Sequence, residues 1–219
     1  MFLNSILAKA APERGGLSAT QQALEAQTAL LPYALAVFAI SLPAYVWAGS
    51  HADNAVWMTG SFAIFAAAWG AFYGVINWLK DPEFAANSAL RGRVQILCAL
   101  IWAVAIAQIS AFGDGAGAAR EPLLMTALAA AVVVIFFAAP WLPSLLIVGP
   151  AAAAGPLIAL YSRPESQELA NLSWGAIALA HALALVLNRI LRSQFELAAE
   201  REVLMADRAR KIEGSSMMW

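Results

Sequence analysis

Two histidines, one cysteine and 14 acidic residues are the groups in this 219-residue chain with types suited to catalysis or ligation. Their spacing argues against most of that chemistry. His51 and His181 fall on opposite sides of the predicted topology, so no histidine pair has metal-ligand spacing. No glycine-rich loop follows a strand to cradle a phosphate, and no Ser-His-Asp set is plausible. Cys98 sits inside an apolar run, where a thiol behaves as a small buried hydrophobe, and a lone cysteine excludes an intrachain disulfide. Acidic residues avoid the predicted membrane segments, which argues against proton-coupled or ion-coupled transport. The expectation is a chain with no catalytic residue, no metal site and no cofactor, and hence no enzyme.

His181 is the group to weigh. It lies within the apolar run ALAHALALVL, about two helical turns before Asn188. An imidazole there can act as a pH sensor, a cofactor ligand or a polar contact between helices. The competing reading is a neutral histidine bonded to a neighbouring helix, with Asn77, Gln95, Gln108, Ser110 and Thr126 as available polar partners. A second oddity is the segment from Trp141 to Tyr161, interrupted by Pro143, Gly149, Pro150, Gly155 and Pro156. Pro150 and Pro156 cannot donate to the carbonyls of Leu146 and Ala152. In a bilayer those carbonyls need partners, so this helix is expected to be buried in protein or to line a cavity. A small-ligand site there would draw on His181, Pro150, Pro156, Trp102 and Gln108; a kinked packing helix is the alternative.

The elements that must position these residues are membrane helices. The chain is 62% apolar and 12% charged, with mean hydropathy +0.69, whereas soluble domains carry about 25% charged residues. A spanning helix needs about 20 mainly apolar residues. Six windows qualify: Thr28–Ala48, Val56–Leu79, Val94–Phe112, Leu123–Ala139, Trp141–Tyr161 and Leu169–Asn188. The fourth and fifth are divided by a tight turn at AAPWLPS, because proline disfavours helix in the residue before it. With both termini cytoplasmic, 11 of the 13 basic residues lie inside and only Arg120 and Arg163 outside, as the positive-inside rule demands. Trp47, Trp57, Trp78, Trp141, Tyr161 and Trp174 fall near span ends, where amphipathic rings prefer the headgroup region, while Trp69 and Trp102 lie deeper. In the second span Ala66, Gly70 and Gly74 recur every four residues and permit close helix approach, either in a dimer or within one bundle. The fold expected is all-α: a six-helix membrane bundle with a cytoplasmic C-terminal helix.

Four segments follow. Residues 1–26 form a cytoplasmic N-terminal segment, 27–188 the membrane domain, 189–213 a cytoplasmic helix and 214–219 a tail. Ser18, Ala19, Thr20 and Gln21 match a capping box that starts the first helix. Upstream, Phe2, Leu3, Ile6 and Leu7 suit either an interfacial turn or a frayed start. After Asn188 and Arg189 the chain turns charged and helix-favouring. Leu191, Phe195, Ala198, Glu202, Met205, Ala209 and Ile212 then alternate at spacings of four and three, which suits a short parallel two-helix seam with Glu202 as its defect. Ile190, Leu197 and Leu204 make a second stripe. A tail lying on the membrane surface, held by Arg189 and Arg192, is the competing reading.

This arrangement resembles the six-span N-terminal sensor regions of bacterial diguanylate cyclases, cyclic-di-GMP phosphodiesterases and some histidine kinases. The resemblance rests on the basic inner loop Leu90-Arg91-Gly92-Arg93 entering a span that contains Trp102, on the small-residue and proline-rich fifth span, on Asn188-Arg189 at the last exit, and on Phe195-Glu196 followed by Glu200-Arg201. It covers residues 20–213. No GGDEF-type, EAL-type or kinase motif follows the helix, so the resemblance implies no catalytic activity here. It implies a sensory input module in the bacterial inner membrane, homodimeric through its C-terminal helix, with Asn188, Arg189, Leu191, Phe195, Ala198, Glu202 and Met205 transmitting the signal. Its partners would be the lipid bilayer, a second copy and a small-molecule or lipid stimulus, and no nucleic acid. A stand-alone subunit of a larger membrane complex and a small carrier are the alternatives.

Overall fold

The structure, a computed structural model, describes residues 19–40, 42–51, 53, 55–79 and 87–216. Among these residues there is helix and turn and no strand. Helix α1 covers Ala19–Ile40, α2 Leu42–Ser50, α3 Ala55–Leu79, α4 Ser88–Phe112, α5 Arg120–Ala138, α6 Leu142–Tyr161 and α7 Gln167–Ser216. Short 3-10 segments at Gly113–Ala119 and Pro164–Ser166 join α4 to α5 and α6 to α7. The capping serine Ser18, the residues Phe2 to Leu7 and the last three residues lie outside the described set.

Among the described residues, four stretches are long and apolar enough to cross a membrane: Ala89–Gln108, Ala116–Ala138, Leu142–Tyr161 and Pro164–Arg208. The hydropathy of the sequence predicts six. The window Thr28–Ala48 is shared between α1 and α2. The second window falls within α3, whose apolar stretch is Phe62–Val75. The boundary drawn after residue 26 lies inside α1, and the one at residue 189 inside α7.

Helix α6 is the centre of the bundle. Ser144, Leu145, Val148, Gly149, Ala152, Ala153, Pro156, Leu157 and Leu160 are all buried along it, and it packs on α4, α5 and α7. Its small residues set the spacing. A Cβ built on Gly155 would lie 2.6 Å from the Cα of Ala107, so α4 and α6 cross with their backbones nearly touching. The turn before α6 is as tight as the prolines require. Trp141 has extended backbone, and Pro143 follows within the first helical turn, where its missing N–H costs nothing. The Trp141 indole packs against Gly92 of α4, with a ring carbon 2.7 Å from where a Cβ would stand.

The opposite end of the bundle is held by polar contacts. Buried Arg120 donates through Nη2 to the Ala159 carbonyl at the end of α6 and to Ser162 Oγ at 3.5 Å, a cation placed against a helix C-terminus. Ser166 Oγ donates to Glu121 Oε1 at 2.9 Å and ties the start of α7 to the start of α5. Gly117 adopts φ +54, in the region that favours glycine, with the Asp53 carboxylate where a Cβ would be.

The small-residue row of α3 plays no such packing part. Ala66, Gly70 and Gly74 are exposed, and nothing lies within 4 Å of a Cβ built on either glycine. Close packing within one bundle therefore does not account for it. The contrast sets a test. Gly155→Ala should lower the unfolding midpoint in detergent micelles, at a cost of roughly 1–3 kcal/mol from overpacking, while Gly70→Ala should be neutral or stabilising by about 0.5 kcal/mol. Equal effects at the two sites would contradict the α4–α6 crossing.

Candidate functional site

The residues expected to form one ligand site are placed in separate environments. His181, on α7, donates from Nδ1 to the Ile177 carbonyl at 3.0 Å. A carbonyl only accepts, so Nδ1 carries the proton and Nε2 presents a lone pair in the neutral ring. That Nε2 is buried without a hydrogen-bond partner and faces Gly149 of α6, where a Cβ would collide with it; Ile135 of α5 borders the same space. The histidine therefore fills the gap that glycine leaves in α6. Gln95, Gln108, Ser110 and Thr126 do not bond to it, and the side chain of Asn77 is exposed on α3. Pro150, next to Gly149, points outward, and Pro156 is buried further along α6. Trp102 is 1% exposed in the core of α4. Gln108 is half-buried beside the Ala107–Gly155 crossing. Along α6, Pro156 stands seven residues beyond Gly149, about 10 Å further.

A denser polar arrangement lies at the end of the bundle where α7 leaves it. Arg91 and Gln95, one turn apart on α4, both turn toward α1. Arg91 Nη2 donates to Thr28 Oγ1 at 2.9 Å, and its Nη1 stands 3.9 Å from Glu25 Oε1. Gln95 Nε2 donates to the Leu24 carbonyl at 3.1 Å and to Thr28 Oγ1. On the next face of α1, Gln27 Nε2 donates to Ser144 Oγ at the start of α6 at 3.0 Å. These groups are buried, yet Arg91 Nε, Gln27 Oε1 and Gln95 Oε1 have no partner. An unmatched buried polar atom costs about 1–3 kcal/mol, so this network is only partly satisfied. Sequence reasoning took Gln95 as a histidine partner and Arg91 as a loop charge. The signal for the node was the four-residue spacing of Arg91 and Gln95 at a helix start.

The same end holds α7. Asn188 Nδ2, buried, donates to the carbonyls of Ala139 at 2.7 Å and Pro140 at 3.3 Å, so the α5–α6 turn is bonded directly to α7. Helix α7 continues unbroken through Asn188–Arg192 to Ser216, 50 residues and about 75 Å in all. Arg189 is exposed. Leu191 and Phe195 are buried against Ala23 and Ala26 of α1, with Ala19, Trp141 and Leu187 alongside. The seam expected from heptad spacing is thus divided: its first two positions already have a partner in α1, while Ala198 and Met205 are exposed and Glu202 is half-buried. The second stripe, Ile190, Leu197 and Leu204, is exposed throughout. On the flank, Arg192 and Glu196 form an exposed ion pair at 2.9 Å, which adds little stability.

Comparison with protein-family models, with curated proteins and with solved structures finds no match to this chain.

The His181–Gly149 contact is open to a double-mutant cycle. Gly149→Ala should destabilise the bundle by roughly 1–3 kcal/mol, and His181→Ala in that background should recover part of the loss. Additive effects on the unfolding midpoint in micelles would show that the two side chains do not share this space.

Proposed function

We propose that this chain is a membrane-embedded input module that passes a conformational signal along α7 to a cytoplasmic output partner. The observation that supports it is the unbroken α7, bonded through Asn188 to the α5–α6 turn and continuing well past it. A helix joined to the bundle in this way cannot rotate or tilt without moving the turn. The proposal includes six crossings in the bacterial inner membrane, the two beyond the four apolar stretches coming from α1–α2 and α3, with both termini cytoplasmic. It also includes parallel pairing of two copies through α7. The stimulus belongs to the lipid or small-molecule class, acting on the bundle. Asn188 and Arg189 sit at the exit; Ala198, Glu202 and Met205 carry the movement onward.

A second reading, an integral subunit of a larger membrane complex, is favoured by the exposed Ala66, Gly70 and Gly74 face of α3, to which the first reading gives no task.

The experiment that separates them is a fusion. A diguanylate cyclase domain placed after Glu213 should give activity that depends on helical phase. Deleting one to seven residues between Gln194 and Arg208 should make product formation rise and fall with a period of about 3.6 residues. A flat profile would remove the signalling reading and leave the subunit reading.

A further inference from the structure

The face of α7 that carries the heptad pattern is in use at one end and bare at the other. Leu191 and Phe195 are covered by Ala23 and Ala26. Beyond them, among the described residues, Ala198 and Met205 are exposed, and residues 196–208 are exposed but for two half-buried positions. A helix projecting alone in this way is marginal in water and gains from a partner along its apolar stripe. The stripe suits a second α7: its positions alternate by four and three, and the register sets Arg208 and Glu213 at flanking positions five residues apart, the offset at which opposite charges meet in a parallel pair.

We propose that α1 and a second copy of this chain compete for this face. Residues Ala19–Thr28 form an intramolecular clamp over Leu191 and Phe195, and the clamp must leave before two α7 helices pair along the full row Leu191, Phe195, Ala198, Glu202 and Met205. The inference rests on the reading that α7 acts as a parallel dimer, and it adds how that dimer is held back.

Two features make the clamp releasable. Pro32 lies inside α1 and cannot donate to the Thr28 carbonyl, so the helix has a built-in weak point directly after the clamp. The network that fastens the clamp is incomplete, with Gln27 Oε1, Gln95 Oε1 and Arg91 Nε buried and unpaired. Thr28 is its keystone: one hydroxyl accepts from both Arg91 and Gln95 while donating to Leu24 O at 2.8 Å. Loosening α1 frees two large apolar side chains at the point where the dimer seam begins.

The test uses the full chain in phospholipid vesicles, with Cys98→Ala to remove the native thiol. Single cysteines are introduced in turn at Ala198 and Met205 on the proposed seam and at Leu197 and Leu204 on the other stripe, and disulfide-linked dimer is measured after mild oxidation. With the clamp intact, cross-linking should be low. Thr28→Val, close to isosteric, should raise it at least roughly fivefold, the factor expected for one hydrogen bond, since the substitution removes three. Ala26→Glu, which sets a carboxylate against Phe195, should raise it as well. Efficient cross-linking with the clamp intact, or a yield that neither variant changes, overturns the competition and leaves the dimer standing. Cross-linking only through cysteines at Leu197 or Leu204 also overturns it, because the seam is then the other stripe. Absence of cross-linking at all four positions in every variant overturns the dimeric reading itself.

Discussion

Asn188 is buried, and its amide bonds two carbonyls at the α5–α6 turn. Peptide groups at a helix end lack intrahelical partners, and in hydrocarbon no water replaces them. Proline at position 140 removes a further donor from this turn. The side chain of Asn188 makes up part of that deficit from a different helix, so the polar demand of one turn becomes a mechanical joint with another. The rest of the arrangement depends on this joint. It fixes where α7 leaves the bundle, brings Leu191 and Phe195 under α1, and determines which face of the projecting helix stays bare.

Small residues decide the packing above the joint. The Gly155–Ala107 approach and the Gly149–His181 fit both exist because a side chain is missing from α6. Trp141 uses the same device against Gly92. In a medium as apolar as the side chains themselves, close backbone approach and complementary shape supply the attraction that water exclusion supplies elsewhere. The prolines of α6 divide: Pro156 is buried where α6 packs on α4, α5 and α7, Pro143 stands in the first turn where its missing N–H costs nothing, and Pro150 is exposed, as is Leu146, whose carbonyl it leaves free.

Much of this was legible in the residues. The AAPWLPS turn, the apolar segments ending at Phe112, Ala139 and Tyr161, close to the helix ends at Phe112, Ala138 and Tyr161, and the run of helix through Asn188 follow from hydropathy and proline placement. The first window, Thr28–Ala48, is hydrophobic throughout, and its sharing between α1 and α2 is a division that apolar content does not register. Arg91 was misread because a basic residue beside an apolar run has the composition of a loop, although its spacing from Gln95 was that of a helix face. The proposed ligand group of His181, Pro150, Pro156, Trp102 and Gln108 was assembled by residue type alone. Direction is what type does not encode; Pro150 and Gly149 are adjacent and point opposite ways. The covering of Leu191 and Phe195 by α1 joins residues more than 160 apart in the chain, and no local pattern carries that.

Helix α7 is tethered at both ends of its apolar length, by Ser166 of the 3-10 segment just before it to Glu121 and by Asn188 to the α5–α6 turn, about 33 Å apart at helical rise. Sliding of α7 along its axis by even one residue's rise would stretch both tethers at once. Pivoting about one tether displaces the other and so carries the motion into the element bonded there. The helix is therefore built to resist piston-like travel and to pass angular motion into the α5–α6 turn.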